Sequence, residues 1–186
     1  MSLDLATSLK SARPSLTVIG EVKTKSPYGY EASYPWAFML EKLIVHPAID
    51  IVSIHTNPLW GGSWEQLKTA RELTRKPILA KGFHDTIADV KAAFDHGADY
   101  CLTVGWWPDD DRCWFEYEHL DQLSYIPAKR VVFNARDPRT GWKRPWVVNR
   151  TRAIHPGWLC QASMIRTVTD VHPAVDAVLI GEALWS

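Results

Sequence analysis

Lys76-Pro-Ile-Leu-Ala-Lys-Gly-Phe83 decides how the rest of the chain is read. Proline opens a short apolar run, and a lysine followed by glycine closes it. Such near-continuous apolar character suits a parallel strand buried on both faces. A lysine ending a buried strand is costly unless it meets water, a carboxylate or a ligand. Lys81 is therefore a candidate pocket residue.

The same pattern recurs on either side. Candidate strands cover 16–22, 49–55, 77–81, 100–104, 130–133, 158–161 and 177–180. Amphipathic stretches lie between several of them. Ser63 can cap a helix running to Leu73, with Gln66 at the capping-box position and Trp64, Leu67, Ala70 and Leu73 on one face. Thr86 and Asp89 form a second capping box, whose helix buries Ile87, Val90, Ala93 and Phe94 and stops at Gly97. Weaker helices are expected at 116–123 and from Thr167 to His172, where Pro173 ends the pattern. The stretch 138–157, rich in Arg, Trp, Pro and Gly, reads as a long loop with at most one helical turn.

Alternating strands and helices imply βαβ units and a parallel sheet. An open doubly wound sheet competes with a closed barrel. No GxGxxG follows the first strand, which weakens the dinucleotide-binding form. Barrels place their chemistry at the carboxyl ends of the strands. Glu21, Lys23, Lys81, Asn134, Arg136, Ser163 and Gly181 all fall there. The expected fold is thus an α/β, TIM-barrel-like parallel (βα) barrel, in one domain spanning 1–186.

Composition narrows the function. Lys plus Arg and Asp plus Glu are 21 each, so no charge excess argues for a nucleic-acid or membrane-surface partner. No apolar run nears the roughly 20 residues of a membrane span. The amino-terminal stretch lacks the apolar segment of a signal peptide, and Cys101, Cys113 and Cys160 show neither a disulfide framework nor a zinc pattern. These features point to a cytoplasmic protein. The seven histidines form no metal-ligating pair, and no metal or cofactor is expected.

At the candidate site, strand alternation points Glu21 and Lys23 to one side. They are either a pocket acid–base pair or an ion pair on the rim. Ser163 and the Gly181-Glu182 turn either supply N–H groups to a phosphate or form plain strand-to-helix turns. Loop tryptophans such as Trp60, Trp106, Trp107, Trp142 and Trp146 either cover the core or line a pocket. The basic residues between Arg136 and Arg152 are an anion clamp or a solvated loop.

In these residues the chain resembles indole-3-glycerol phosphate synthase. The likeness runs in order from Val18 to Leu184, through Val18-Ile-Gly-Glu-Val-Lys-Thr-Lys-Ser-Pro27, Trp60-Gly-Gly-Ser63, Lys76–Phe83, His96-Gly-Ala-Asp99, Phe133-Asn-Ala-Arg-Asp137, Gln161-Ala-Ser-Met-Ile-Arg-Thr167 and Leu179-Ile-Gly-Glu-Ala-Leu184. It implies a lyase that closes an indole ring on a carboxyphenylamino-deoxyribulose phosphate, with loss of carbon dioxide and water. On that likeness Lys81 is the general acid, Lys23 binds the carboxylate, and Glu21 orients it. Asn134 and Arg136 contact the substrate. Ser26, Ser163, Gly181 and Glu182 hold its phosphate, and Trp60 and Phe83 flank its ring.

The chain also departs from that family. Ala162 and Met164 replace a glutamate and a glycine, Gly82 replaces an aspartate, and the extra amino-terminal helix is largely missing. Seven strands can be recognised where the family has eight. The barrel is therefore expected to be shortened by one βα unit, losing the catalytic glutamate that serves as general base, with Asp137 or Glu21 as substitutes. An open edge would favour a homo-oligomer. The alternative function is a divergent barrel that binds a phosphorylated small molecule or nucleotide without this catalysis.

Overall fold

The computed structural model describes residues 3–144 and 147–185. Trp146, one of the loop tryptophans considered above, lies outside the described residues. The elements run α1 (Asp4–Ala12), β1 (Thr17–Val22), α2 (Trp36–Val45), β2 (Ile51–His55), α3 (Trp64–Leu73), β3 (Ile78–Lys81), α4 (Ile87–Asp95), β4 (Tyr100–Val104), β5 (Cys113–Glu116), β6 (Arg130–Asn134), α5 (Val148–Ile154), β7 (Trp158–Ala162), β8 (Ala177–Ile180) and α6 (Glu182–Trp185). All eight strands pair in parallel and in sequence order, and β8 returns to β1. No helix among the described residues is long and apolar enough to cross a membrane.

The barrel is therefore complete in strands and has no open edge, so the expected loss of a βα unit's strand is corrected. What it lacks is α-helix in three of its crossovers: β5–β6 and β7–β8 carry only 3₁₀ turns, and β4–β5 carries none. Between β4 and β5 the backbone crosses over through residues 105–112 without one. Parallel neighbours normally need a crossover of a dozen or more residues, usually helical, to cover the sheet. Here Trp106 and Trp107 pack against the core in its place, and the Trp106 Nε1–H donates to the carbonyl of His84 at 2.8 Å. The stretch 113–116, partly assigned above to a helix, is the missing strand. A short 3₁₀ turn, Leu120–Ser124, follows it.

Two expected caps are present. Ser63 Oγ accepts from the Gln66 N–H at 3.1 Å, and Thr86 and Asp89 form a reciprocal capping box. Val90 and Ala93 are buried on α4, but Ile87, at its first position, is 61% exposed. Leu73, at the other end of α3, is also exposed. The segment from Thr167 forms only a 3₁₀ turn, Val168–Asp170. In the Arg- and Trp-rich stretch, where a loop with at most one helical turn was expected, the seven-residue α5 makes about two turns.

Two cores result from strand alternation. Outward residues such as Val18, Val52, Ile78 and Phe133 meet the helices. Inward residues Ile19, Ile51, Leu79, Leu102, Trp114, Val132, Cys160, Ala177 and Leu179 fill the barrel. Trp114 packs between Tyr100 and Trp158, with centroids 5.1 and 4.7 Å away, and plugs the amino-terminal end. Aspartates staple that end. Asp50, Asp99 and Asp176 accept backbone N–H groups at the starts of neighbouring strands, from Val18, Ile78 and Leu159. With one end plugged and stapled, the polar residues of the inward rows collect at the other.

Candidate active site

A cavity of about 800 Å³ opens at the carboxyl ends of the strands. Of the residues proposed from sequence, Glu21, Lys23, Ser26, Trp60, Lys81, Asn134, Arg136, Ser163, Gly181 and Glu182 line it. Phe83 stands behind Trp60, edge-on with centroids 5.3 Å apart.

The pairing of charges differs from the sequence expectation. Glu21 does not pair directly with Lys23. Its Oε1 accepts from Lys81 Nζ at 3.0 Å, and Lys23 Nζ donates to Glu182 Oε1 at 2.7 Å. The distance between strands explains the exchange. β1 and β3 flank β2, so inward side chains at their ends converge across the barrel. Burial would raise the Glu21 pKa, but the charges of Lys81, Lys23 and His55 and the Lys81 hydrogen bond hold it down at about 2. Burial alone would lower Lys81. Glu21 and Glu116 outweigh it and raise the Lys81 pKa, so the ammonium persists.

Glu116 is the residue the sequence reading missed. It ends β5, points inward like Lys81 and Asn134, and is almost fully buried. Asn134 Nδ2 donates to its Oε1 at 3.0 Å. The Asn134 side-chain oxygen Oδ1 accepts from Ser163 Oγ at 2.6 Å and from the Arg136 N–H at 3.1 Å, which fixes the amide's orientation. Burial lifts the Glu116 pKa to about 7, although Lys81 and Asn134 oppose the rise. The proposed substitutes do not match this. Asp137 accepts from the N–H groups of Arg139 and Thr140, and these bonds with Arg144 lower its pKa against the effect of burial. Glu21 is held ionised by its lysines.

The walls are aromatic. Trp60 stacks on the His55 imidazole at 5.0 Å with the rings 5° apart. The loop carrying Trp60 closes against β2 through Gly62, where a Cβ would stand 1.9 Å from the His55 carbonyl oxygen. His84 is fixed by the Leu102 carbonyl and Thr56 Oγ, a structural role. Of the basic stretch, Arg136 and Lys143 reach the cavity, whereas Arg139 pairs with Asp85 and Glu118, Arg144 with Asp137, and Arg152 with Asp176. Ser163 and Met164 both have left-handed backbones, with φ of 67° and 57°. Met164 thus keeps, with a side chain, a conformation that glycine adopts freely.

Fold and site together define a closed parallel (βα) barrel whose polar and charged side chains gather in one cavity at its carboxyl end. No family model matches the chain. Over 100 residues it is 30% identical to indole-3-glycerol phosphate synthase of Sulfurisphaera tokodaii, a match covering 54% of this chain and 41% of that protein. Over 125 residues it is 29% identical to the protein of the same name from Pyrobaculum neutrophilum, covering 66% and 48%. The matched stretches thus span less than half of either relative. Among solved structures, monomers generated from the dimeric phosphoribosylanthranilate isomerase of Thermotoga maritima superpose with a TM-score of 0.61 at 11% identity, over 90% of this chain and 87% of that one. At that identity the likeness concerns the fold.

Proposed function

We propose that this protein is a carbon–carbon lyase of the tryptophan pathway, of the indole-3-glycerol phosphate synthase kind. Its substrate would be the carboxyphenylamino-deoxyribulose phosphate named above. One observation carries the reading: a lysine held in its protonated form by Glu21 and a carboxylate poised near neutrality meet at one barrel mouth. Lys81, held by Glu21, supplies the acid. Glu116, with its pKa at about 7, supplies the base.

In this mechanism Lys81 donates its proton to the substrate carbonyl oxygen as the arene carbon attacks the carbonyl carbon. Lys23 holds the carboxylate, which leaves as carbon dioxide. Lys81, reprotonated by a proton taken up from solvent, then protonates the departing hydroxyl while Glu116 takes the proton whose loss completes the ring, so that the whole reaction consumes one proton. Glu116 sits just beneath the cavity lining, covered by Asn134. A substrate that engages the Asn134 amide uncovers it. Ser26, Ser163 and the Gly181 and Glu182 N–H groups face the phosphate, Arg136 contacts the substrate, and Trp60, backed by Phe83, flanks the anthranilate ring.

A second reading, binding of a phosphorylated small molecule or nucleotide without ring closure, draws on Ala162 and on the Met164 side chain in the cavity. Turnover separates the two. Release of indole-3-glycerol phosphate, lowered about 10²–10⁴-fold in Lys81→Ala, is expected. Tight binding without product at high enzyme concentration would refute the lyase and favour the second reading.

A further inference from the structure

Most of the charge in the cavity is balanced. Lys81 meets Glu21 at 3.0 Å, and Lys23 meets Glu182 at 2.7 Å. Asp170 offsets Arg166 in the loop after β7. Its carboxylate accepts the Arg166 backbone N–H at 2.8 Å, and that bond and the Arg166 charge lower its pKa. Two further cations line the same cavity, Arg136 and Lys143. Neither makes an ion pair among the described residues.

The backbone places these two side by side. The Ala135 carbonyl accepts the Arg144 N–H at 2.7 Å, and the Trp142 carbonyl accepts the Asp137 N–H at 2.9 Å. Arg136 and Lys143 face each other between those bonds, as an antiparallel bridge. In such a non-hydrogen-bonded pair the side chains leave the same face, from Cα atoms about 4.5 Å apart. Like charges directly opposite each other are unfavourable. The acids near this hairpin serve its other cations: Arg139 pairs with Asp85 at 2.9 Å and Glu118 at 3.2 Å, and Arg144 with Asp137 at 3.5 Å. Tyr28 fixes the hairpin in place. Its hydroxyl donates to the Pro138 carbonyl at 2.8 Å, and at Gly141 a Cβ would stand 2.5 Å from its ring.

A like-charged pair held on a cavity wall is relieved when an anion lies between its members. Two positive charges match a phosphoryl dianion, and a guanidinium fork beside an ammonium supplies suitable donors. We propose that Arg136 and Lys143 form a second phosphoryl seat, on the hairpin side of the mouth, distinct from the one at Ser163 and Gly181-Glu182. It takes a phosphoryl dianion, carried by the ligand itself or free as inorganic phosphate. The proposal rests on the phosphate seat of the reading above, but not on ring closure.

The probes are ribulose 5-phosphate, ribulose 1,5-bisphosphate and inorganic phosphate, in isothermal titrations. The proteins are the parent, Lys143→Gln, Lys143→Arg and Arg150→Gln, the last removing an exposed charge on α5 away from the cavity. In the parent, one of two results is expected. A bisphosphate bound about tenfold or more tighter than the monophosphate marks a ligand with two phosphoryl groups. Inorganic phosphate that joins the monophosphate complex without displacing the sugar marks a free anion. Either behaviour should vanish in Lys143→Gln and persist in Lys143→Arg and Arg150→Gln. Without ligand, Lys143→Gln should keep or raise the Tm, because it removes a repulsion. A parent in which the bisphosphate gains nothing and phosphate displaces the monophosphate has one seat, which overturns the proposal. A second-anion effect that survives in Lys143→Gln, or is lost equally in Arg150→Gln, overturns it too. A parent that binds no ribulose 5-phosphate refutes the first seat and the second with it. A second seat that depends on Lys143, in a protein that never forms product from the carboxyphenylamino substrate, refutes the lyase and leaves the seat standing.

Discussion

Glu116→Gln should make the protein more stable while disabling it, and the gain should depend on pH. Burial, opposed in part by Lys81 and Asn134, sets the Glu116 pKa at about 7 rather than the ordinary 4.5. Below the lower value the carboxyl is protonated in both folded and unfolded chains and costs nothing. Between the two values the unfolded chain ionises while the folded one keeps its proton, so stability falls as pH rises. Above the upper value the cost is complete. At roughly 1.4 kcal/mol per pH unit it amounts to about 3 kcal/mol. Glutamine keeps an acceptor for the Asn134 amide and removes the charge. Relative to the parent, the variant should gain about 2–3 kcal/mol at pH near 8.5 and almost nothing near 4.5. For a domain of this size that corresponds to a Tm higher by roughly 5–10 °C at the alkaline end. Urea or thermal melts of both proteins across this range provide the measurement. A difference that stays flat with pH, or a loss of stability at alkaline pH, would refute the buried-carboxylate argument. Turnover should fall about 10²–10⁴-fold in the same variant.

Two further substitutions probe the loops that frame the cavity. Met164 adopts φ of 57°, so Met164→Gly should release strain and stabilise the protein by up to about 1 kcal/mol in chemical denaturation, a gain that Met164→Ala should not reproduce. Gly62→Ala would place a methyl group 1.9 Å from the His55 carbonyl oxygen. It should destabilise the fold by about 3 kcal/mol and, by moving Trp60, raise KM for the proposed substrate; an unchanged melt would mean that the loop yields without strain.

Periodicity and strand-end chemistry made much of this barrel legible. Runs such as 77–81 and 177–180 are apolar on both faces because helices cover one side and the filled interior the other. Lys81, Glu21 and Asn134 were visible because each interrupts or ends such a run. Glu116 ends a run of the same kind, Cys113-Trp-Phe-Glu116. It escaped notice because a strand was expected only after a helix, and the acidic, tryptophan-bearing segment 105–112 reads as a turn. The clue was a bulky inward–outward pair, Trp114 and Phe115, closed by an acid as β3 is closed by a lysine. Ile87 and Leu73 were misplaced for a different reason. Helical period assigns a face, but the ends of a helix can project past whatever that face covers.

Local sequence alone, then, determined the parallel strands, the caps of α3 and α4 and the polar residues at the strand ends, because each depends on neighbours within a few positions. Tertiary closure decided the rest. It added β5, let Trp106 and Trp107 replace a helix, and gave Glu21 to Lys81 and Lys23 to Glu182. It also set the ionisation of Glu116, since burial and opposing charge come from residues distant in the chain. Side-chain alternation fixes the direction of a charge, but only the closed barrel fixes which opposite charge it meets and how little water surrounds them.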